Sequence, residues 1–252
     1  MKFLNLVYCL ALAALFFSAC KKRGEFEVPC KIEKIISNYH FYPEDPYEVN
    51  ISTFTHNVWG DPASIIQSVP TTGRPHYYFY YDNNKRLKAF KGAYGPEAID
   101  FYTRYFYDNN NFIVRDTTLY SGADINNPAT FQYTFVNTYT YDSKGRVSKV
   151  VTELVGIPQG NYETNYAYDA NGNLTSPGLT YDNKTSYLRT SLVLAFVTRN
   201  YSKNNYSTAT SYNTKGLPTS FPTDWRNQRI PHFFNTQVSE IEYTCDNHRD
   251  ND

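Results

Sequence analysis

Charge of one sign, methionine and long apolar runs are all scarce in this chain. Once Lys2 is removed with the N-terminal leader read below, the 24 basic residues drop by one and face 24 acidic ones, leaving no net positive field. Nucleic-acid binders need such a field to neutralise phosphates, so the composition excludes that partner class. The one methionine is Met1. Beyond the leader, no stretch approaches the ~20 apolar residues of a transmembrane helix. Spacings for a dinucleotide fold, a phosphate loop or a zinc site are also missing, as is a Gly-x-Ser-x-Gly elbow. His40, His56, His76, His232 and His248 are scattered without carboxylate pairing, so neither a metal nor a cofactor is expected, and no catalytic residue can be named.

Cysteine is sparse as well: past Cys20 only Cys30 and Cys245 remain. Both lie in strand-like flanks, and secretion makes a disulfide between them chemically reasonable. Two cysteines permit one intramolecular pairing, the alternative being two free thiols.

The address is written in the first residues. Lys2 precedes an apolar run, Leu4 to Phe17, broken only by Asn5 and ending in Ser18-Ala19-Cys20. That run is short for a membrane span and has the pattern of a secretory signal. Small residues before a cysteine resemble a lipobox, with cleavage ahead of Cys20 and lipid on its thiol. An ordinary signal peptide containing a cysteine is the alternative. Acyl chains, at ~0.8 kcal/mol per buried CH₂, make such an anchor durable. The organisation read from the sequence is therefore a signal peptide over 1–19, a lipidated tether over 20–29 and one β domain over 30–252. The expected location is the cell envelope, anchored to the outer membrane on a face the sequence does not specify.

What the chain has in abundance is tyrosine, with 25 residues, beside 17 phenylalanines. Much of the tyrosine sits in one recurring turn. Its clearest copies run Tyr141-Asp142-Ser143-Lys144-Gly145 and Tyr168-Asp169-Ala170-Asn171-Gly172. Looser copies carry Tyr81-Asp82, Tyr107-Asp108, Tyr181-Asp182 and Tyr212-Asn213, and His56-Asn57-Val58-Trp59-Gly60 is a degenerate one. Asp or Asn opens a type I turn by accepting downstream backbone N–H groups. Glycine four places into the turn takes the positive φ that closes a hairpin with a bulge; Asn111 can do the same. Lys85 and Thr185 depart from this frame. Alternating flanks predict half-buried strands: Phe131, Tyr133, Phe135, Tyr139 and Tyr141 share a parity interrupted at Asn137, and Tyr162, Thr164, Tyr166 and Tyr168 share another. Gly92 to Pro96 is read as one of the longer loops at the opposite sheet edge.

These turns resemble the hairpin motif of Rhs or YD-repeat proteins, and more narrowly the short YD-repeat lipoproteins of Bacteroidetes type. The later segments Tyr181-Asp182-Asn183-Lys184, Ser202-Lys203-Asn204-Asn205 and Tyr212-Asn213-Thr214-Lys215-Gly216-Leu217-Pro218 extend the likeness. The resemblance implies an all-β fold, a twisted antiparallel sheet of successive hairpins, and carries no catalytic residues. One stretch stands apart. Around 186–198, Leu188, Leu192, Ala195 and Phe196 have helical spacing, predicting a short helix or loop over the sheet, with a further buried strand as the alternative.

The expected role is that of a lipid-anchored binding or structural module whose partner, besides the membrane, is a glycan or a protein. Flat rings beside amides and carboxylates are suited to sugars. Tyr78, Tyr80, Tyr102 and Phe106 lie on the strand parity opposite their core-directed neighbours and are the candidate ligand-facing aromatics; the alternative is that a loop or the 186–198 segment covers them. A competing function is a hydrolase acting on envelope or extracellular polysaccharide, which would need two facing carboxyl groups. Asp169 to Asn173 superficially resembles the start of a calcium loop but lacks the acidic residue at the twelfth place.

Overall fold

The computed structural model describes residues 30–39, 48–175, 179–206, 209–221 and 237–245. The leader and the acylation candidate Cys20 lie outside the described residues. Successive hairpins pair antiparallel from β1 (Ile32–Tyr39) through β2 (Glu48–His56), β3 (Pro62–Gln67), β4 (His76–Tyr81) and β5 (Leu87–Gly95). The meander continues through β6 (Ala98–Tyr107), β7 (Ile113–Gly122), β8 (Tyr133–Tyr141), β9 (Val147–Leu154) and β10 (Tyr162–Asn165). On the other side of β1 lie β13 (Gln237–Tyr243), β12 (Pro218–Ser220) and β11 (Ser211–Tyr212). The described residues thus form a 13-stranded sheet in the order β10 to β1, then β13, β12 and β11. Its outermost strands are short, which limits the unpaired backbone offered to other chains.

One turn chemistry generates the hairpins. Asp142 Oδ1 accepts from the N–H groups of Lys144 and Arg146, each at 2.9 Å, and Gly145 takes φ 73°. Asp108 and Asn213 accept in the same way, and Asp169 Oδ1 accepts from Asn173 N. Asn57 does so too, with Gly60 at φ 92°, so the degenerate turn belongs to the series. Lys85 adopts φ 62°, and Asp82 keeps every bond of the frame. The departure there is one of residue type alone. At Asp182 the departure is structural: its carboxylate accepts from Asn205 Nδ2 and Tyr212 OH, and Thr185 makes an isolated bridge with Asn204.

Each repeat also grips the one before it. Tyr81 OH donates to Pro62 O at 2.7 Å, Tyr107 to Leu87 O, Tyr141 to Ile113 O and Tyr168 to Val147 O, the last three at 2.8 Å. Tyr181 and Tyr243 bond Leu174 O and Pro218 O in the corresponding way. The acceptor always lies five residues after the turn Asp or Asn, where the second strand leaves the hairpin. A phenol supplies both the ring for the core and the donor for that carbonyl, which phenylalanine would leave unpaired. Arg146 pairs with Asp142 at 2.7 Å while its guanidinium stacks 4.0 Å from the Tyr168 ring, and Arg86 repeats this with Asp82 and Tyr107.

The main core joins Ile35, Phe54, Ile65, Phe79, Phe90, Ile241 and Tyr243 of the sheet to Tyr187, Leu188, Leu194 and Ala195. The sheet therefore folds around the 186–198 stretch, which forms a 3₁₀ turn, Tyr187–Thr190, followed by a short helix α1 (Leu192–Val197). Ser186 and Ser191 cap the two, each accepting an N–H from two residues on. In this conformation Tyr187, Leu188, Leu194 and Ala195 all enter the main core against the sheet. Ser202, Asn204 and Asn205 tie the following segment down: Ser202 Oγ accepts from Leu174 N, Asn204 N–H donates to Asn173 Oδ1, and Asn205 Oδ1 accepts from Tyr187 N. Gly92 to Pro96 is not a long loop, since β5 runs through Gly95 and turns into β6 at Pro96 and Glu97. At the chain ends, Cys30 and Cys245 are joined as a disulfide with Cα atoms 5.2 Å apart.

Candidate binding cleft

The hydrophobic interior thins out beyond α1. There the inner face of β6 to β9 changes from apolar to polar along a row of cross-strand neighbours. Thr103 stands opposite Thr118, Asp116 opposite Asn137, and Asn137 opposite Thr152. Their side chains form one bonded chain. Thr103 and Thr118 share a hydrogen bond of 2.9 Å, and Asp116 Oδ1 accepts from Thr118 Oγ1 at 3.2 Å and Asn137 Nδ2 at 2.8 Å. Thr152 Oγ1 donates to Asn137 Oδ1 at 2.7 Å, and Tyr139 OH donates to Asp116 Oδ2. Burial pushes the Asp116 carboxyl above its ordinary value, against these hydrogen bonds and the attraction of Arg199.

This polar row floors a cleft of about 520 Å³, within the ~300–1,000 Å³ typical of small-molecule sites. Aromatic rings make its walls. Tyr139 and Tyr105 pack on Phe196 of α1 with centroids 5.3 and 5.9 Å apart, and Tyr120 meets Phe135 edge-on at 5.3 Å. Tyr133 and Tyr162 also line the cleft and remain 48% and 52% exposed. Sequence periodicity places both on a core-directed parity, which they do occupy; but here that face opens to solvent instead of closing on a core.

Among the described residues Arg199 is the one cationic side chain of the lining. It follows α1, donates its backbone N–H to Phe196 O and takes φ 53°. That conformation is ordinary for glycine and costs another residue on the order of 1 kcal/mol or more. Burial disfavours its charge, yet the oxygens of Tyr139, Tyr166, Tyr201 and Asp116 hold its pKa above the usual arginine value. Among the described residues no carboxylate reaches it within ion-pair distance.

The aromatics singled out from the sequence are not in this cleft. Tyr78, Tyr80, Tyr102 and Phe106 lie on the opposite face of the sheet. Tyr78 stands across from Lys91, and Lys91 across from Tyr102. The Lys91 ammonium lies 4.8 Å from the Tyr78 ring, and the Arg115 guanidinium 4.4 Å from that of Phe106. Tyr80 is 41% exposed. It is basic side chains that partly cover these rings, while the 186–198 segment packs on the other face.

Asp116 and Arg199 have no motif to announce them. Asn137, which breaks an aromatic parity, was the one visible sign of the polar row. Asp169 Oδ1 accepts from Asn173 N within a hairpin turn, and among the described residues no cluster of three potential metal ligands occurs. Compared with known proteins, the chain matches no family model, and no curated protein matches it at a significant level.

Proposed function

We propose that the protein is a lipid-anchored glycan-binding module of the cell envelope, held at the outer membrane through Cys20, with the inner cleft as its ligand site. The observation that carries this reading is the combination within one cleft of exposed tyrosine rings and a preorganised row of hydroxyl, amide and carboxyl groups. A pyranose ring has C–H faces that stack on such rings and equatorial hydroxyls that need such partners. The floor is bonded internally before any ligand arrives, so little ordering cost falls on binding. A polysaccharide hydrolase would require a second carboxyl group facing Asp116; at that point the described lining supplies Asn137, Thr118 and Tyr139. The recurring turn and its tyrosine grip likewise support membership of the YD-repeat lipoproteins.

Isothermal titration of the full chain in detergent micelles against a panel of neutral and acidic oligosaccharides tests the reading. Tyr133→Ala and Tyr162→Ala should each weaken binding about tenfold while the melting temperature holds, because both rings are half exposed. Tyr78→Ala and Tyr102→Ala on the opposite face should leave affinity unchanged. Absence of binding to every saccharide, or loss confined to the opposite-face variants, would overturn the cleft assignment. The anchor has its own readout: Cys20→Ala should move the protein into the aqueous phase of a detergent extraction, and a wild type already found there refutes acylation.

A further inference from the structure

Resting on the glycan reading, we propose that the cleft selects saccharides bearing a carboxylate, uronic acids in chemical class, and that Arg199 is the residue that meets that carboxylate. Among the described residues, the two charged groups lining the cleft are unequally matched. Asp116 takes its hydrogen bonds from Thr118, Asn137 and Tyr139, all neutral donors, and Arg199 attracts it only from beyond ion-pair distance. Arg199 has no carboxylate at ion-pair distance among the described residues; its side chain contacts the phenol of Tyr166. The repeat arginines show what this chain does with a guanidinium that serves the fold: Arg86 and Arg146 each pair with the aspartate four residues earlier and stack on a tyrosine. Arg199 has no such aspartate.

Its backbone points the same way. A left-handed residue after a helix is normally glycine or asparagine, and Asn200 stands one place too late to take that conformation at position 199. Strain at an arginine persists where the side chain is wanted in a particular direction. Here that direction is into the cleft, beside Phe196 and Val197. A planar guanidinium with several N–H donors matches the two oxygens of a carboxylate bidentately, and the partly desolvated setting strengthens that pairing.

The experiment uses the full chain in micelles and three probes: oligogalacturonate, its methyl ester and the corresponding neutral galacto-oligosaccharide. The ester keeps ring, linkage and hydroxyls and removes only the charge. Oligogalacturonate should bind at least tenfold more tightly than the other two. Arg199→Gln should erase that difference, whereas Arg199→Lys should retain part of it. Arg199→Gly should erase it as well, with a melting temperature equal to or above wild type, which separates loss of the contact from loss of the fold. Equal affinity for acid and ester, or an unchanged preference in Arg199→Gln, overturns the carboxylate assignment and leaves a neutral-glycan cleft standing. If none of the three probes and no other saccharide binds, both readings fall together.

Discussion

Removing a single oxygen from Tyr81 isolates the device that joins one repeat to the next. In Tyr81→Phe the partly buried ring stays packed against the main core, and only the donor to Pro62 O is lost. A neutral hydrogen bond of this kind contributes ~0.5–1.5 kcal/mol, and more if water cannot reach the abandoned carbonyl. For a domain of this size each kcal/mol shifts the melting temperature by about 2–4 °C, so the expected loss is roughly 1–6 °C. Tyr80 supplies the control one residue away: it is 41% exposed on the other face, and Tyr80→Phe should change melting by less than ~0.5 kcal/mol. Tyr168→Phe, which breaks the bond to Val147 O, should behave as Tyr81→Phe does, and the double variant should show the sum because the pairs share no partner. Thermal unfolding followed by circular dichroism reads all four. Equal melting of the Tyr80 and Tyr81 variants would falsify the claim that the repeat tyrosine is selected for its hydroxyl.

Gly145 and Gly172, at φ 73° and 88°, should each cost ~1–3 kcal/mol when replaced by valine, a branched residue that resists positive φ; unchanged melting in both would remove the turn argument. Reduction or double serine replacement of the disulfide, whose cysteines lie 215 residues apart, should destabilise by up to about 5 kcal/mol in the chain-entropy model. Identical denaturation midpoints with and without reductant would contradict this. Burial, with a smaller push from Lys31, lowers the pKa of His56 from 6.5 to about 4. A depressed histidine stabilises the fold fully above its unfolded pKa, and that contribution is lost as pH falls from about 6.5 toward 4. Solvent screening reduces the effect at this partly exposed site. His56→Phe keeps the ring stacked near Phe54 and should narrow the melting difference between pH 7 and pH 5; an unaltered difference would show that other groups carry it.

How far the residues spoke in advance depended on distance along the chain. Asp142 and Gly145 lie three places apart, and their turn follows from local backbone chemistry that a sequence displays openly. Lys85 obscured its turn because glycine's role there is filled by a residue with no special affinity for positive φ, the surrounding hairpin supplying the constraint. Asp182 keeps the opening Tyr-Asp and the first turn bond, from Lys184 N, but Thr185 stands at the fourth place and Asn205 and Tyr212 take the rest of the carboxylate. The aromatic parity of β8 and β10 was legible, but not that the curl of the sheet leaves Tyr133 and Tyr162 open. Asp116, Asn137 and Thr152 meet only through strand register, across separations of 21 and 15 residues. Arg199 was silent for a different reason: its significance rests on a backbone angle and on carboxylates that are not beside it, and neither has a signature in the letters.

The most direct test of the glycan-binding account is a crystal structure of the protein soaked with the saccharide that binds most tightly in the titration panel. The account predicts a sugar ring between α1 and the inner face of β7 and β8, stacked on Tyr133 or Tyr162 and hydrogen-bonded to the Asp116–Asn137 row. Sugar density on the outer face at Tyr78, Tyr80, Tyr102 and Phe106, with the cleft holding only water, would contradict it.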